Sequence, residues 1–492
     1  MNTLNALAAI SLAYVALLFS VAFFAERSAA RGRGAWLRSP VVYTLSLSIY
    51  CTAWTFYGAV GYAARSGLEF VTIYLGPTLV MIGWWWGLRK LVRVGRSQRV
   101  TSIADLVSSR YGKSNVLAFG VTFLAVIAIT PYISLQLQSI TLSISIFAEP
   151  DPSPDGSLAP VVWVAAGLAV FAILFGTRNL DANERHHGLV TAIALEAVVK
   201  LIALLAVGIF VVWGLFGGLS ETSARIDASN IGTFGVEADR WIAITFLAAA
   251  AFVCLPRMFQ VMVVENENED YLRTASWAFP AYVFLMSLFV VPIAVVGLEI
   301  MPSGDNPDLF VLTVPLSQGR EALALLAFLG GFSSAPSMVI VAAVSLSIMV
   351  SNHVVMPIWL ALRGQGAAVS GDVRNVVLLS RRVSIGVVMG LGVLYYELSG
   401  GGAALAAIGL VAFAGIAQIL PALVGGLIWR GATRVGALGG VGVGFAIWLW
   451  SFFLPGLGGG LLPESVMVSG PFGIGWLRPY ALFGIEGPDP VV

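Results

Sequence analysis

The chain has 492 residues, of which 58% are hydrophobic and only 11% charged, with a net charge of +1 and a mean hydropathy of +0.89. Because soluble globular chains carry about 25% charged residues, this composition excludes a soluble protein and predicts one embedded in a lipid bilayer. We expect no nucleic-acid partner. Both cysteines, Cys51 and Cys254, lie in apolar segments, which argues against a disulfide framework or a thiolate metal site.

The first apolar span covers about residues 4–24, and no basic residue precedes it. Four arginines follow it instead, at Arg27, Arg31, Arg33 and Arg38. A secretory signal peptide has the reverse arrangement, with its positive charge before the apolar segment. The pattern therefore predicts a retained first helix with its N-terminus outside the cell.

Eleven more apolar spans follow, and alternating them across the membrane places most of the 27 Lys and Arg residues in inner loops. That distribution agrees with the positive-inside rule. The predicted spans are about 40–64, 70–88, 115–147, 161–175, 188–216, 241–264, 277–300, 322–350, 383–398, 403–429 and 435–454.

The second span carries an unusual number of polar and aromatic side chains at mid-membrane depth, followed by Gly58 and Gly61. These polar and aromatic residues are Ser46, Ser48, Tyr50, Cys51, Thr52, Trp54, Thr55 and Tyr57. Such groups are costly in a bilayer unless they face a cavity or a ligand. The stretch 45–67 therefore predicts a broken helix that lines a solute pathway, and the alternative is a helix packed through small residues.

The fourth and sixth spans each carry a polar pair at i,i+4 spacing. Tyr132 and Gln136 share one face of the fourth, which suits either hydrogen bonding to a polar solute or bonding between helices. In the sixth span, Glu196 precedes Lys200 by one helical turn, and this order of the two charges favours an ion pair. Ionisable residues within a membrane favour a role in ion or proton movement, and the alternative is a structural pair.

The seventh and ninth spans carry interruptions of their own. Pro256 should break the seventh, and we expect Arg257 to anchor that span near the inner surface. The segment 330–338 of the ninth combines two glycines, three serines and a proline, whose oxygen atoms suit a hard alkali cation. The alternative for this segment is a packing face of small residues.

The two interrupted spans, the second and the seventh, are five spans apart. Since five is odd, two consecutive five-helix units have opposite orientations, which is typical of inverted-repeat transporters. We therefore predict an all-α polytopic membrane protein. Its predicted parts are a first peripheral helix with its inner loop (1–38), two inverted five-helix repeats (39–220 and 221–430) and a twelfth helix with an outer tail (431–492).

Several motifs together resemble the transporter portion of CbrA-type sensor histidine kinases, in the sodium:solute symporter superfamily. They are CTAWTFYGAVGYAARSG, IYLGPTL, RVTSIADLVSSRYGKS, PYISLQLQS, GTRNLDANERHHG, CLPRMFQVMVVENENEDYLRTASWAFP and WLRPYALFGI. The resemblance implies a LeuT-like fold with extra peripheral helices in the bacterial cytoplasmic membrane. It also implies a thirteenth helix, expected beyond residue 492, that leads to a cytoplasmic kinase and its response regulator.

The resemblance implies a sodium site made by the carbonyls of Ser48 and Cys51 with three residues of the ninth span. Those three residues are Gly330, Ser333 and Ser334. Glu196 keeps a carboxylate that the family has at the matching position. Tyr50 stands where proline symporters usually have an acidic residue, so the sequence departs from the family there. That departure leaves room for proton coupling through Glu196 and Lys200 in place of sodium.

The resemblance also implies the solute-lining residues, which are Tyr50, Trp54, Tyr57, Tyr132, Gln136, Phe252 and Ser337. This aromatic lining suits an amino acid with a flat or apolar side chain, and histidine is the first candidate. We expect an ion-coupled symporter that uses Na+ or H+ and needs no other cofactor. The alternative is a non-transporting sensory module that binds the solute and signals to a kinase. The sequence shows no nucleophile–base pair or metal constellation, so we do not expect an enzyme.

Overall fold

The computed structural model describes residues 3–34, 36–147, 159–176, 187–235, 237–363, 372–401, 404–457 and 462–484, and the elements it assigns within them are all helical. The predicted outer loop at 149–158, most of the motif at 176–188 and parts of the 431–492 tail lie outside these ranges.

Most of the predicted spans of the first half appear as helices with bounds close to those expected. The helices are α1 (Thr3–Ala30), α2 (Pro40–Ser46), α3 (Ala59–Ser66), α4 (Thr72–Gly83), α5 (Trp85–Ser97), α6 (Ile103–Arg110), α7 (Asn115–Ser145), α8 (Ala159–Gly176), α9 (His187–Ile209) and α10 (Leu219–Ala228). Between α2 and α3 lie a 3-10 turn, Leu47–Tyr50, and a π-helical segment, Trp54–Gly58.

The second half divides several predicted spans into shorter helices. These are α11 (Ala238–Cys254), α12 (Pro256–Phe259), α13 (Tyr271–Ser287), α14 (Val290–Ile300), α15 (Phe310–Ser317), α16 (Glu321–Ser334), α17 (Pro336–Val350), α18 (Met356–Arg363), α19 (Asp372–Leu398), α20 (Leu405–Ala417), α21 (Leu420–Ile428), α22 (Arg434–Trp448) and α23 (Glu464–Ser469).

Among the described residues, nine helices are long and apolar enough to cross a bilayer, or ten if the bent pair Ala238–Cys254 and Pro256–Val264 forms one span. Shorter apolar helices at Pro40–Tyr50 and Pro160–Leu174 account for parts of two further predicted spans. None of the predicted spans includes residues 307–317. The structure folds them into a short apolar helix that packs against α14 and α16.

The ninth predicted span extends beyond its expected end at residue 350. Helical structure continues from Glu321 to Leu362, which is 42 residues. The polar run that begins at Ser351 suggested a loop, but it forms a π-helical turn, Ser351–Val355. Within that turn Asn352 donates a hydrogen bond to the Thr101 hydroxyl, and the Nε2 atom of His353 lies 2.9 Å from the Oδ1 atom of Asp105. Polar partners on the neighbouring inner segment therefore replace the solvent that the sequence pattern implied.

Each side-chain ion pair within the described ranges joins residues that the alternating topology places on the same side of the membrane. On the predicted outer side these are Arg65–Asp308, Glu69–Arg240, Arg225–Glu221 and Arg225–Glu299. On the predicted inner side these are Arg38–Glu267, His187–Glu267, Arg89–Glu269, Arg89–Asp270, Arg93–Glu269 and His353–Asp105. The contacts therefore support the alternation, while the outward position of the N-terminus stays a prediction.

Asp105 fixes the start of α6 on the inner side and gives a pH-dependent prediction. Burial acts to raise its pKa, but contacts with His353 and Thr101 outweigh burial and hold the pKa below its ordinary value. A carboxyl whose pKa is lower in the folded state stabilises the fold above its unfolded pKa of about 3.9, and this contribution disappears as pH falls through the lowered value.

We expect Asp105→Asn to lower the free energy of unfolding by about 1–2 kcal/mol at pH 7. The difference from the wild type should shrink as the pH is lowered below about 4. Thermal unfolding in detergent across this pH range measures it, with the exposed Asp227→Asn as the matched control. An equal deficit at pH 3 and pH 7 would contradict the assigned role of the carboxylate.

Candidate functional site

The first interruption lies where the sequence analysis predicted it, between α2 and α3. The 3-10 turn ends at Tyr50, and Cys51 adopts an extended conformation with φ −78° and ψ 97°. Helical structure resumes only as the π-helical segment that begins at Trp54. A break of this kind releases backbone carbonyls from the helical ladder in the middle of the protein.

The second interruption, between α11 and α12, is likewise confirmed. Leu255 is extended, with φ −60° and ψ 126°, and the helix axis bends by 52° there. Proline disfavours helical geometry in the residue before it and is well suited to the first position of a new helix. Pro256 therefore ends α11 at Cys254 and starts α12.

Lys200 connects α9 to the first break. Its Nζ donates hydrogen bonds to the carbonyls of Ser48, at 2.9 Å, and Cys51, at 2.7 Å, and the side chain is only 1% exposed. Glu196, one turn earlier on α9, is also buried and interacts electrostatically with Lys200. Ser337, predicted to line the solute site, contacts Glu196. The two carbonyls predicted as sodium ligands thus accept a lysine ammonium.

The three α16 residues of the predicted cation site are engaged in other contacts. The Ser333 hydroxyl lies 2.7 Å from the Tyr14 hydroxyl of α1, and the Ser334 hydroxyl donates to the Gly330 carbonyl at 2.9 Å. A Cβ at Gly330 would lie 2.5 Å from the Cβ of Ala203, so the glycine lets α16 approach α9 closely. The small-residue packing that the sequence left as an alternative is therefore present in this segment. Tyr14 is an additional residue in contact with this segment that the sequence did not indicate.

Five buried rings, here called the aromatic cluster, fill the space beside the two breaks. They are Tyr50, Trp54, Tyr132, Phe252 and Phe413. Ring centroids are 4.8 Å apart for Trp54 and Phe413, 5.8 Å for Tyr132 and Phe413, and 5.6 Å for Tyr50 and Phe252. The structure therefore brings together four of the predicted solute-lining residues. Phe413 of α20 was missed because the residues next to it in its span are apolar or small.

Tyr132 and two further predicted lining residues, Gln136 and Tyr57, make contacts that hold the fold in place. The Tyr132 hydroxyl lies 2.8 Å from the Thr52 hydroxyl, and the Gln136 Oε1 accepts a hydrogen bond from the Ala53 amide at 3.2 Å. Both contacts fix the unwound backbone between α2 and α3. Tyr57 lies against α16, where a Cβ at Gly331 would be 1.8 Å from its hydroxyl.

Arg257 lies at the second break, and its expected position near the inner surface is wrong. Its side chain is 0% exposed, and its guanidinium carbon lies 4.3 Å from the centroid of the Tyr132 ring. Among the described residues, none of its three guanidinium nitrogens has a hydrogen-bond acceptor. The sequence pattern misled because a basic residue close to the end of an apolar span is usually an anchor. The break at Leu255 instead turns the residue into the protein interior.

An outer network closes one end of the site. The Asp308 carboxylate accepts hydrogen bonds from Arg65 of α3 at 2.9 Å and from the Leu405 amide of α20 at 3.1 Å. Gly61 packs so closely that a Cβ there would lie 1.7 Å from the Asp308 Oδ1 atom. Asp308 is buried, so its carboxylate joins α3, α20 and the segment that precedes α15 inside the protein.

An inner cleft approaches the first break from the other end. It is lined by residues of the α2, α9 and α13 regions, among them Arg38, Tyr43, Ser46, His187 and Tyr271. The Tyr43 hydroxyl donates to the Met262 carbonyl at 3.0 Å, which links α2 to the segment after the second break. Both broken helices therefore meet at the end of this cleft.

Sequence comparison relates the chain to two curated proteins of Bacillus subtilis (strain 168), both uncharacterized symporters. YhjB is 22% identical over 286 residues, which is 56% of this chain and 55% of its own length. YodF is 23% identical over 419 residues, which is 81% of this chain and 77% of its own length. The chain thus spans only about half of the first relative. No protein-family model matches the chain.

Two solved structures share the architecture over most of the chain. One is a substrate-bound, outward-open Na+-coupled sialic acid symporter, with a TM-score of 0.62 and 14% identity over 90% of this chain and 97% of that one. The other is a manganese transporter of Eremococcus coleocola, with a TM-score of 0.53 and 13% identity. The match covers 90% of this chain and 92% of that one. These proteins are transporters rather than enzymes, in agreement with the prediction that the chain is not an enzyme. The all-α, LeuT-like transporter fold predicted from the sequence is confirmed.

Proposed function

We propose that the protein is a secondary transporter that carries a small organic solute across the bacterial cytoplasmic membrane together with an ion. Two core helices are interrupted beside a buried aromatic cluster, as expected where a solute and an ion bind at mid-membrane depth. The symporter names of the two relatives support the same class of function.

The observation that carries this proposal is the hydrogen bonding of Lys200 to the carbonyls of Ser48 and Cys51. We propose that this ammonium does the work of a coupling cation and that the transported ion is a proton. With its proton, Lys200 holds the first break closed; without it, the cationic partner of both carbonyls is lost and the break can rearrange. Glu196, one turn away, is placed to exchange that proton. The sodium-coupled structural neighbour favours Na+ as the alternative ion.

For the solute, we propose an amino acid with a flat or apolar side chain, and histidine is the first to test. The aromatic cluster offers faces that stack on a flat ring. The choice of histidine among such solutes rests on the resemblance of the sequence motifs to the transporter portion of CbrA-type kinases.

Uptake into proteoliposomes tests the function. We expect labelled histidine, or another member of a panel of amino acids, to accumulate under an inward proton gradient and to do so equally in sodium and choline buffers. Glu196→Gln should reduce this concentrative uptake at least about tenfold, because the carboxyl no longer exchanges a proton. The exposed Glu464→Gln serves as the control. Accumulation driven only by a sodium gradient would overturn proton coupling while leaving symport in place.

The second candidate is a sensory module that binds the solute and signals to a histidine kinase and its response regulator. The resemblance of the sequence motifs to the transporter portion of CbrA-type sensor kinases favours it. In this case the wild-type protein would bind the solute in detergent but would show no uptake under either gradient.

A further inference from the structure

Arg257 carries a positive charge into the protein centre without any acceptor for its five N–H groups among the described residues. Its favourable contacts there are with two tyrosines. The centroid of the Tyr132 ring lies 4.3 Å from the guanidinium carbon, and Tyr132 and Tyr50 both interact electrostatically with the charge. Buried charges in proteins are ordinarily paired, because transfer of an isolated ion out of water is strongly unfavourable. An unpaired, fully buried guanidinium at a helix break is therefore a group kept for a ligand.

The charges around Arg257 indicate the sign and size of that ligand's charge. Lys200 interacts electrostatically with both Arg257 and Glu196. The buried centre thus holds two cationic side chains and one carboxyl, and Lys200 is already bound to two backbone carbonyls. One carboxylate on a bound solute would pair the guanidinium that lacks an acceptor, whereas a dianion such as a phosphate monoester would bring more negative charge than this one cation can pair.

The shape of the surroundings narrows the chemistry further. The planar guanidinium fork matches a carboxylate with two parallel N–H···O bonds. The apolar faces of the aromatic cluster adjoin it through Tyr132, which stacks on Phe413. We infer that Arg257 binds the carboxylate of the transported solute and that the rest of the solute packs against the aromatic cluster. The substrate class is therefore monoanionic or zwitterionic carboxylates. This inference rests on the proposed function for its solute, but not on the coupling ion.

Ligand-dependent thermal unfolding of the full chain in detergent tests the assignment. The probes are the amino acids, simple monocarboxylates such as benzoate, and the carboxamide of each. We expect at least one carboxylate to stabilise the wild type and its carboxamide to bind at least about 100-fold more weakly, because the amide leaves the guanidinium without its charged acceptor.

The matched variants are Arg257→Met, which keeps the length of the side chain, and Arg257→Lys, which keeps the charge without the fork. Arg257→Met should abolish the preference for carboxylate over carboxamide and should unfold no more easily than the wild type in the absence of solute. Arg257→Lys should keep the preference with affinity lowered about tenfold. The exposed Arg320→Met should behave as the wild type.

Equal binding of acid and amide by the wild type would overturn the inference, and this measurement needs no variant to fold. The inference would also be overturned if Arg257→Met still preferred carboxylates over carboxamides. The same holds if none of the carboxylates stabilised the wild type. Failure of the proposed transport function has a different signature, since acid-selective binding would persist while uptake under every gradient is absent.

Discussion

Lys200→Ala is expected to reduce proton-driven uptake at least about 100-fold and to make the protein sensitive to sodium. The substitution removes the ammonium that joins α9 to the carbonyls of Ser48 and Cys51. Loss of one partner from a buried charged contact costs about 3–5 kcal/mol, which is enough to stop turnover. The vacated space faces two carbonyl oxygens, and such hard ligands favour an alkali cation over softer metals.

Thermal unfolding in sodium and in choline separates this expectation from simple damage to the fold. Sodium should stabilise Lys200→Ala but neither the wild type nor Lys200→Met, whose side chain fills the space without a charge. Lys113→Ala, on an inner turn, is the control for the loss of a positive charge. Stabilisation of the wild type by millimolar sodium would mean that an ion binds alongside the lysine, and it would contradict the proposed role of Lys200.

Asp308→Ala should open the outer side of the protein. The carboxylate holds Arg65 of α3 and the Leu405 amide of α20. Its removal leaves the Leu405 amide without this acceptor and leaves Arg65 with its hydrogen bond to Asn306 alone. Water entering from the outside relieves that penalty, so the population should shift toward an outward-open state. We expect the free energy of the closed form, relative to the outward-open form, to rise by about 3 kcal/mol in this variant.

The native thiol of Cys51 reports this opening, because it lies at the first break and is buried in the closed form. In a Cys254→Ala background, maleimide labelling of Cys51 should be at least about tenfold faster in Asp308→Ala than in its parent. Asp305→Ala, an exposed change in the same outer loop, should label at the parental rate. Unchanged labelling in Asp308→Ala would show that other contacts hold the outer side shut.

The helix breaks were predictable because their causes are local. Proline before Arg257 and a run of hydroxyl and aromatic residues around Tyr50 are visible in the sequence itself. The partners of Lys200 were not predictable, since the i,i+4 spacing directed attention to Glu196 rather than to carbonyls about 150 residues earlier in the chain.

Other parts of the site gave no distinctive signal. Tyr14 and Phe413 look like ordinary residues of apolar spans, and their role depends on helices that are distant in sequence. Asp308 follows a proline in what read as an outer loop, so its burial against α3 and α20 depends on tertiary packing. Arg257 was predicted to be a surface anchor, because a basic residue near the end of a span usually has that role. Its burial at the helix break is visible only in the folded protein.

The long run of helix from Glu321 to Leu362, which has a turn at Ala335, has a mechanical consequence. At 1.5 Å per residue its 42 residues extend about 63 Å, roughly twice the thickness of the hydrocarbon layer. Ser333 and Ser334 lie in its first half, just before the turn at Ala335, and the second half contacts Thr101 through Asn352 and Asp105 of α6 through His353. A tilt of about 10° at the serines would swing the far tip by about 7 Å, so this rod can serve as a lever between the membrane centre and the inner surface.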